Sequence, residues 1–206
     1  MELYIAILVF AVSTTVTPGP NNIMILSSGV NYGVKRSLPH LLGICIGFPL
    51  MVAAVGLGFG SVFESFPIFH ELIKVMGLTY LLYLAWKVAT ASTGPLETKD
   101  NNSRPMTFIQ AVLFQWVNPK AWIMATGAIA AYTSQDSSIL LQVIVISTVF
   151  FIAAFPCVGV WLFFGSLIQK YLKDEVFQKT FNVIMAALLV ISVLPVVKDL
   201  SATYLV

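Results

Sequence analysis

Thr17-Pro18-Gly19-Pro20-Asn21-Asn22 lies inside the first apolar segment of the chain, residues 3–30, and decides how the rest is read. Pro18 and Pro20 have no backbone donor and clash with the preceding turn. They also push Thr17 and Gly19 toward extended conformations. The stretch therefore predicts a broken helix. In a bilayer, broken backbone is tolerated only where it is buried in protein or lines a wet cavity. Asn21 and Asn22 bring side-chain donors and acceptors to the same place. Two readings follow: half of a solute-binding site, or a proline kink that serves helix packing.

The surrounding composition is that of an integral membrane protein. Hydrophobic residues make up 58% of the 206, charged residues 10%, and the mean hydropathy is +0.91. Soluble domains carry about a quarter charged residues, so this chain has too few to cover a soluble surface. A net charge of +2 gives no argument for nucleic acid. The start of the chain does not read as a signal peptide, because Met1-Glu2 holds no basic residue and the apolar run is too long. No metal-type cluster or Cys-x-x-Cys pair is present in the sequence, and no cofactor is expected.

Six segments are long enough to span a bilayer: 3–30, 41–63, 68–90, 107–132, 139–168 and 181–197. The polar stretch 31–40, with Lys35 and Arg36, reads as a turn, and His40 and His70 fall at opposite membrane edges. Gly43-x-x-x-Gly47 and Gly56-x-x-x-Gly60 carry the small-residue spacing that lets helices approach closely. Trp86-Lys87 has the look of an interfacial anchor.

The halves resemble each other. Phe48-Pro49 corresponds to Phe155-Pro156, and Phe59-Gly60-Ser61 to Phe164-Gly165-Ser166. The break at Pro18 and Pro20 corresponds to Pro119 in the fourth segment, beside Asn118. Three spans per half put the second half into the membrane from the other side. The expected fold is therefore an all-α membrane protein of six transmembrane helices in two inverted three-helix repeats. These are residues 1–90 and 107–206, joined by a cytoplasmic linker, 91–106, with the first and fourth helices broken. Such matched breaks point to a transporter site near the midplane. Eight of the eleven Lys and Arg residues fall on one side of this arrangement, which places both termini outside the cytoplasm.

Lys120 follows the second break, deep in the fourth segment. A lysine at a helix centre costs about 2.5–3.5 kcal/mol on insertion scales, so it should face a cavity or a partner. It is a candidate for proton exchange during transport; the alternative is that it merely pairs with carbonyls freed by Pro119. No Asp or Glu lies near a helix centre. A substrate carboxylate can therefore meet Lys120 and the positive end of the half-helix after Pro20, with an ammonium on carbonyls exposed by the breaks. This chemistry suits a small neutral amino acid. The expected binding residues are Asn21, Asn22, Asn118, Lys120, Thr17 and Gln115. Pro18, Gly19, Pro20 and Pro119 break the helices, and Trp116 and Trp122 flank the second break.

Thr17-Pro18-Gly19-Pro20-Asn21, the stretch from Gly77 to Lys87, and Asn118-Pro119-Lys120 resemble the lysine exporter (LysE/RhtB) family of bacterial amino-acid exporters. The resemblance covers nearly the whole chain. It implies a multi-pass protein of the bacterial inner membrane that exports amino acids or derivatives by proton antiport. Pro20-Asn21-Asn22 followed by Ile-Met-Ile-Leu-Ser-Ser is similar to the branch exporting cysteine and O-acetylserine; the threonine and homoserine branch is also close. Where many members carry an acidic residue in the second helix, this chain has Phe48, which shifts interest to Lys120. Partners expected are a small amino acid, protons and lipid; the sequence is compatible with a homo-oligomer. The rival readings are a membrane thiol-disulfide oxidoreductase using Cys45 and Cys157, and a passive channel.

Overall fold

The computed structural model describes residues 2–59, 67–91, 104–134, 138–171 and 174–204. Gly60, Ser61, Glu64, Asp136 and most of the 91–106 linker lie outside these, as does the side chain of His70. The described residues form seven α-helices and no strand. They are α1 (Glu2–Val16), α2 (Pro20–Ala54), α3 (Pro67–Ala89), α4 (Phe108–Val117), α5 (Pro119–Tyr132), α6 (Ile139–Tyr171) and α7 (Glu175–Tyr204). A π-helical turn, Val55–Phe59, extends α2. Among the described residues, four stretches are long and apolar enough to cross a membrane: Pro20–Phe59, Glu71–Ala89, Ile139–Gln169 and Glu175–Lys198.

The first of these stretches is not one rod. Gly33 sits at φ 72°, ψ 174° inside α2, a left-handed conformation that favours glycine. Beyond it, Ser37 Oγ donates to the Ser28 carbonyl at 3.1 Å, and Ser28 Oγ lies 2.9 Å from His40 Nδ1. Nine residues of straight helix would separate Ser28 from Ser37 by about 13.5 Å. The chain therefore folds back at Gly33 into two arms, 20–32 and 34–54. The expected turn over 31–40 shrinks to one glycine, and the residues after it are helical. His40 is 0% exposed, held between the arms.

Gly165 lies near the end of the expected span 139–168. α6 runs through it to Tyr171. A Cβ on Gly165 would fall on the Leu26 carbonyl oxygen, and one on Gly29 would fall on the Leu162 carbonyl oxygen. The two glycines let the first arm of α2 and α6 touch backbone to backbone. Gly43 and Gly47 do the same for α4: a Cβ on Gly47 would lie 2.7 Å from Val112 Cα.

α6 is the central post, packed by α1, both parts of α2, and α5; α3 packs against α7. Phe150 on α6 anchors one core cluster with Ile7, Phe48 and Ala125. Its ring meets that of Phe48 edge-on at 5.1 Å. A second cluster, around Phe114, Leu81 and Leu189, joins α2, α3, α4 and α7. The outer surface stays apolar, with Leu8, Val9, Ile144, Ile152 and Val160 among its exposed side chains, as a lipid-facing surface requires.

The two broken helices lie against each other in antiparallel register. Tyr132 Oη meets the Ala6 carbonyl, Lys120 meets Thr17, and Gln115 meets Asn21. At the other end, the Gly33 turn and the start of α7 are tied by a reciprocal amide pair, Asn31–Asn182, at 2.8 and 3.2 Å.

Candidate functional site

The site is built from carbonyls that the prolines leave without donors. In a continuous helix the N–H of residue 18 would serve Thr14 and that of residue 20 would serve Val16. Here Thr17 Oγ1 donates to the Thr14 carbonyl at 2.8 Å, and Trp161 Nε1 on α6 donates to the Val16 carbonyl at 3.0 Å. Asn22 Nδ2 serves both the Thr15 and Thr17 carbonyls at 2.8 Å. Lys120 Nζ completes the set with bonds to the Thr17 carbonyl (2.8 Å), Thr17 Oγ1 (2.8 Å) and the Pro18 carbonyl (3.2 Å). Helical bonding resumes at Gly19, whose carbonyl accepts from Ile23 N at 2.9 Å.

Gly19 is extended (φ 175°, ψ 178°), a conformation open to any residue. Its small size matters for another reason. A Cβ there would lie 2.6 Å from Lys120 Cδ and 3.2 Å from Nζ, so glycine leaves the passage through which the lysine crosses.

The second break is a single residue. Asn118 (φ −89°, ψ 110°) ends α4 and caps α5, its side chain accepting from Lys120 N at 3.2 Å. Pro119 takes the first helical position, where its missing donor does no harm. Lys120 thus projects from a capped helix start. Its partners are carbonyls of the other break, 103 and 102 residues away in sequence, rather than those freed by Pro119.

Gln115, 0% exposed, joins the two breaks from behind. It exchanges amide bonds with Asn21 at 2.8 and 3.1 Å and donates to the Ala111 carbonyl at 2.9 Å. The amide orientations are those that satisfy this network.

A cavity of about 30 Å³ lies between the breaks, more than a single water needs. Asn21, Asn22, Asn118 and Lys120 line it, together with Thr14, Thr15 and Gly19. Ile44, Phe48, Ala121, Met124, Ala154 and Val158 make the apolar wall. Thr15 is 8% exposed, and its Oγ1 is buried without a hydrogen-bond partner among the described residues.

Four of the six expected binding residues thus line one cavity. Thr17 contributes as the acceptor of Lys120, and Gln115 as a brace. Trp116 and Trp122 are not among the lining residues; Trp122 Nε1 bonds the Trp116 carbonyl at 2.9 Å. Thr15 and Trp161 were missed. Thr15 was legible, since it directly precedes the break; nothing local marked Trp161. Cys45 and Cys157 are free and buried.

A lipid-facing helical bundle with two broken helices meeting around a polar cavity is the architecture of a membrane transporter. The chain matches LysE type translocators over residues 12–194 and belongs to that family of amino-acid exporters. It is 30% identical over 183 residues to the cysteine/O-acetylserine efflux protein of Escherichia coli strain K12, covering 88% of this chain and 90% of that relative. Proteins of the same name from Shigella sonnei and Escherichia coli O1:K1 match to the same extent. No solved structure matches the chain. Membership makes the protein a transporter and not an enzyme, which removes the thiol oxidoreductase reading of Cys45 and Cys157.

Proposed function

We propose that the protein exports small neutral amino acids or derivatives across the bacterial inner membrane by proton antiport, with cysteine, O-acetylserine, threonine and homoserine as the substrate type. The observation that carries this reading is the cavity between the breaks, lined by amides, hydroxyls and one cation, with no carboxylate among its lining residues. Lys120 is the group to receive a substrate carboxylate, and Asn21, Asn22 and Asn118 supply neutral donors and acceptors. The relatives' efflux of cysteine and O-acetylserine agrees in substrate size and charge.

Six crossings fit the helices. The first is α1 with the first arm of α2, and the fourth is α4 with α5; the second arm of α2, α3, α6 and α7 make the rest. The antiparallel register of the two broken helices supports an inverted relation between repeats 1–90 and 107–206. The Gly33 turn and the first part of α7 share one end of the bundle. That end carries Lys35, Arg36 and Lys179, which supports a cytoplasmic placement for it and an outer placement for the termini. Transport then proceeds by rocking around a central site.

Counterflow in proteoliposomes tests this, with cysteine, O-acetylserine, threonine and homoserine as the panel and lysine as the contrast. The expected result is saturable exchange of the neutral amino acids, accelerated by a pH gradient. Unsaturable flux would establish the passive channel instead, and exchange indifferent to the gradient would remove the antiport step.

A further inference from the structure

We propose that the oxygens at the end of α1 form the ammonium subsite of the transport site, and that Lys120 fills it here as a tethered stand-in for the substrate's own ammonium. This rests on the amino-acid transport reading above.

A primary ammonium has three donors and no acceptor. Lys120 Nζ meets the Thr17 carbonyl, Thr17 Oγ1 and the Pro18 carbonyl at 2.8, 2.8 and 3.2 Å. Three oxygens for three hydrogens is the full complement. The oxygens sit at the C-terminal end of α1, where the aligned peptide dipoles favour a cation. A second observation comes from the cavity that Lys120 and Gly19 line: Thr15 lines it too, and its Oγ1 is buried with no partner among the described residues. It is a spare acceptor two residues before the cage.

Two ammonium groups cannot share these three oxygens, because like charges at contact distance repel. A substrate ammonium therefore enters only as Lys120 leaves. What draws the lysine away is a carboxylate, through a charge-assisted hydrogen bond. A molecule carrying both groups exchanges places with the lysine in one step. An amine without a carboxylate would strand Lys120 inside the membrane, and a carboxylate without an amine would empty the cage. The site thereby selects α-amino acids over simple amines and simple acids.

Thermal stabilisation of the purified full-length protein in detergent tests this with L-cysteine, 2-aminoethanethiol and 3-sulfanylpropanoate as probes, beside O-acetylserine and threonine. In the wild type, the amine should need at least a tenfold higher concentration than cysteine for the same effect. In Lys120→Met the cage is open, so the amine should act at a concentration at least tenfold lower than in the wild type. Cysteine should then lose its advantage over it, and the acid should not stabilise. Lys120→Gln, which keeps a polar side chain but no charge to repel an ammonium, should shift the amine response in the same direction if the methionine variant does not fold. A folded variant with an unchanged amine response overturns the subsite alone. A wild type that answers to none of cysteine, O-acetylserine or threonine overturns the transport reading, and the subsite with it.

Discussion

The two helix breaks share proline and asparagine but not chemistry. The first spans Thr17 to Gly19 and removes two backbone donors. Its carbonyls are satisfied from three other places: Asn22 on α2, Lys120 on α5 and Trp161 on α6. The second costs the chain one residue and repairs itself. Asn118 N bonds the Gln115 carbonyl at 3.3 Å, and the Asn118 side chain caps Lys120 N at 3.2 Å. One break is an acceptor surface that exists only when the bundle is assembled. The other is a stiff joint that aims a donor at it. An antiparallel pair of broken helices therefore gives a cavity with two unlike sides.

The sharpest way to break this contrast is Asn22→Ala. Asn22 is 3% exposed and serves two carbonyls of the first break. Losing a partner from a buried polar group costs about 1–3 kcal/mol. Lys120 still covers Thr17, so one carbonyl is left bare and the expected loss is about 1–3 kcal/mol, read as a fall in thermal stability in detergent. A variant as stable as the wild type would mean that the first break does not depend on assembly. The Asn21–Gln115 pair should matter less. A double-mutant cycle with Asn21→Ala and Gln115→Ala should give a coupling of about 0.6–1.7 kcal/mol, the range seen between membrane helices. Strictly additive losses would show that the two breaks do not support each other.

Much of this was legible in the sequence because proline acts locally. The missing donors at Pro18, Pro20 and Pro119 are written in the chain, and so are the breaks. The position of Lys120 was equally plain, but its partner was not. That depends on the antiparallel register of two helices 103 residues apart, and local sequence does not encode register between distant helices. The stretch 31–40 misled for a related reason. Asn31, Ser37 and His40 look like turn residues, yet each is buried against a helix neighbour: Asn31 on Asn182, Ser37 and His40 on Ser28. Polarity marked a place where helices exchange hydrogen bonds, and the turn itself needed only Gly33. Gly165 reads as a helix end when taken alone, but its role is contact with Leu26.

The smallest expected effect sharpens the comparison most finely. In Asn118→Ala the helix cap on Lys120 N is lost, at a cost of about 1 kcal/mol. That is at the low end of the loss expected for Asn22→Ala, because the rest of the second break is bonded locally. Asn118→Asp keeps the capping oxygen, so its stability should stay close to that of the wild type. It also places a carboxylate in the cavity beside Lys120, a rival to the substrate's own carboxylate. Counterflow should therefore slow in the aspartate variant while its unfolding temperature holds, whereas the alanine variant should lose stability as well as transport. If both variants lose stability and transport in the same proportion, the second break is structural only, and the donor it carries is not held for substrate.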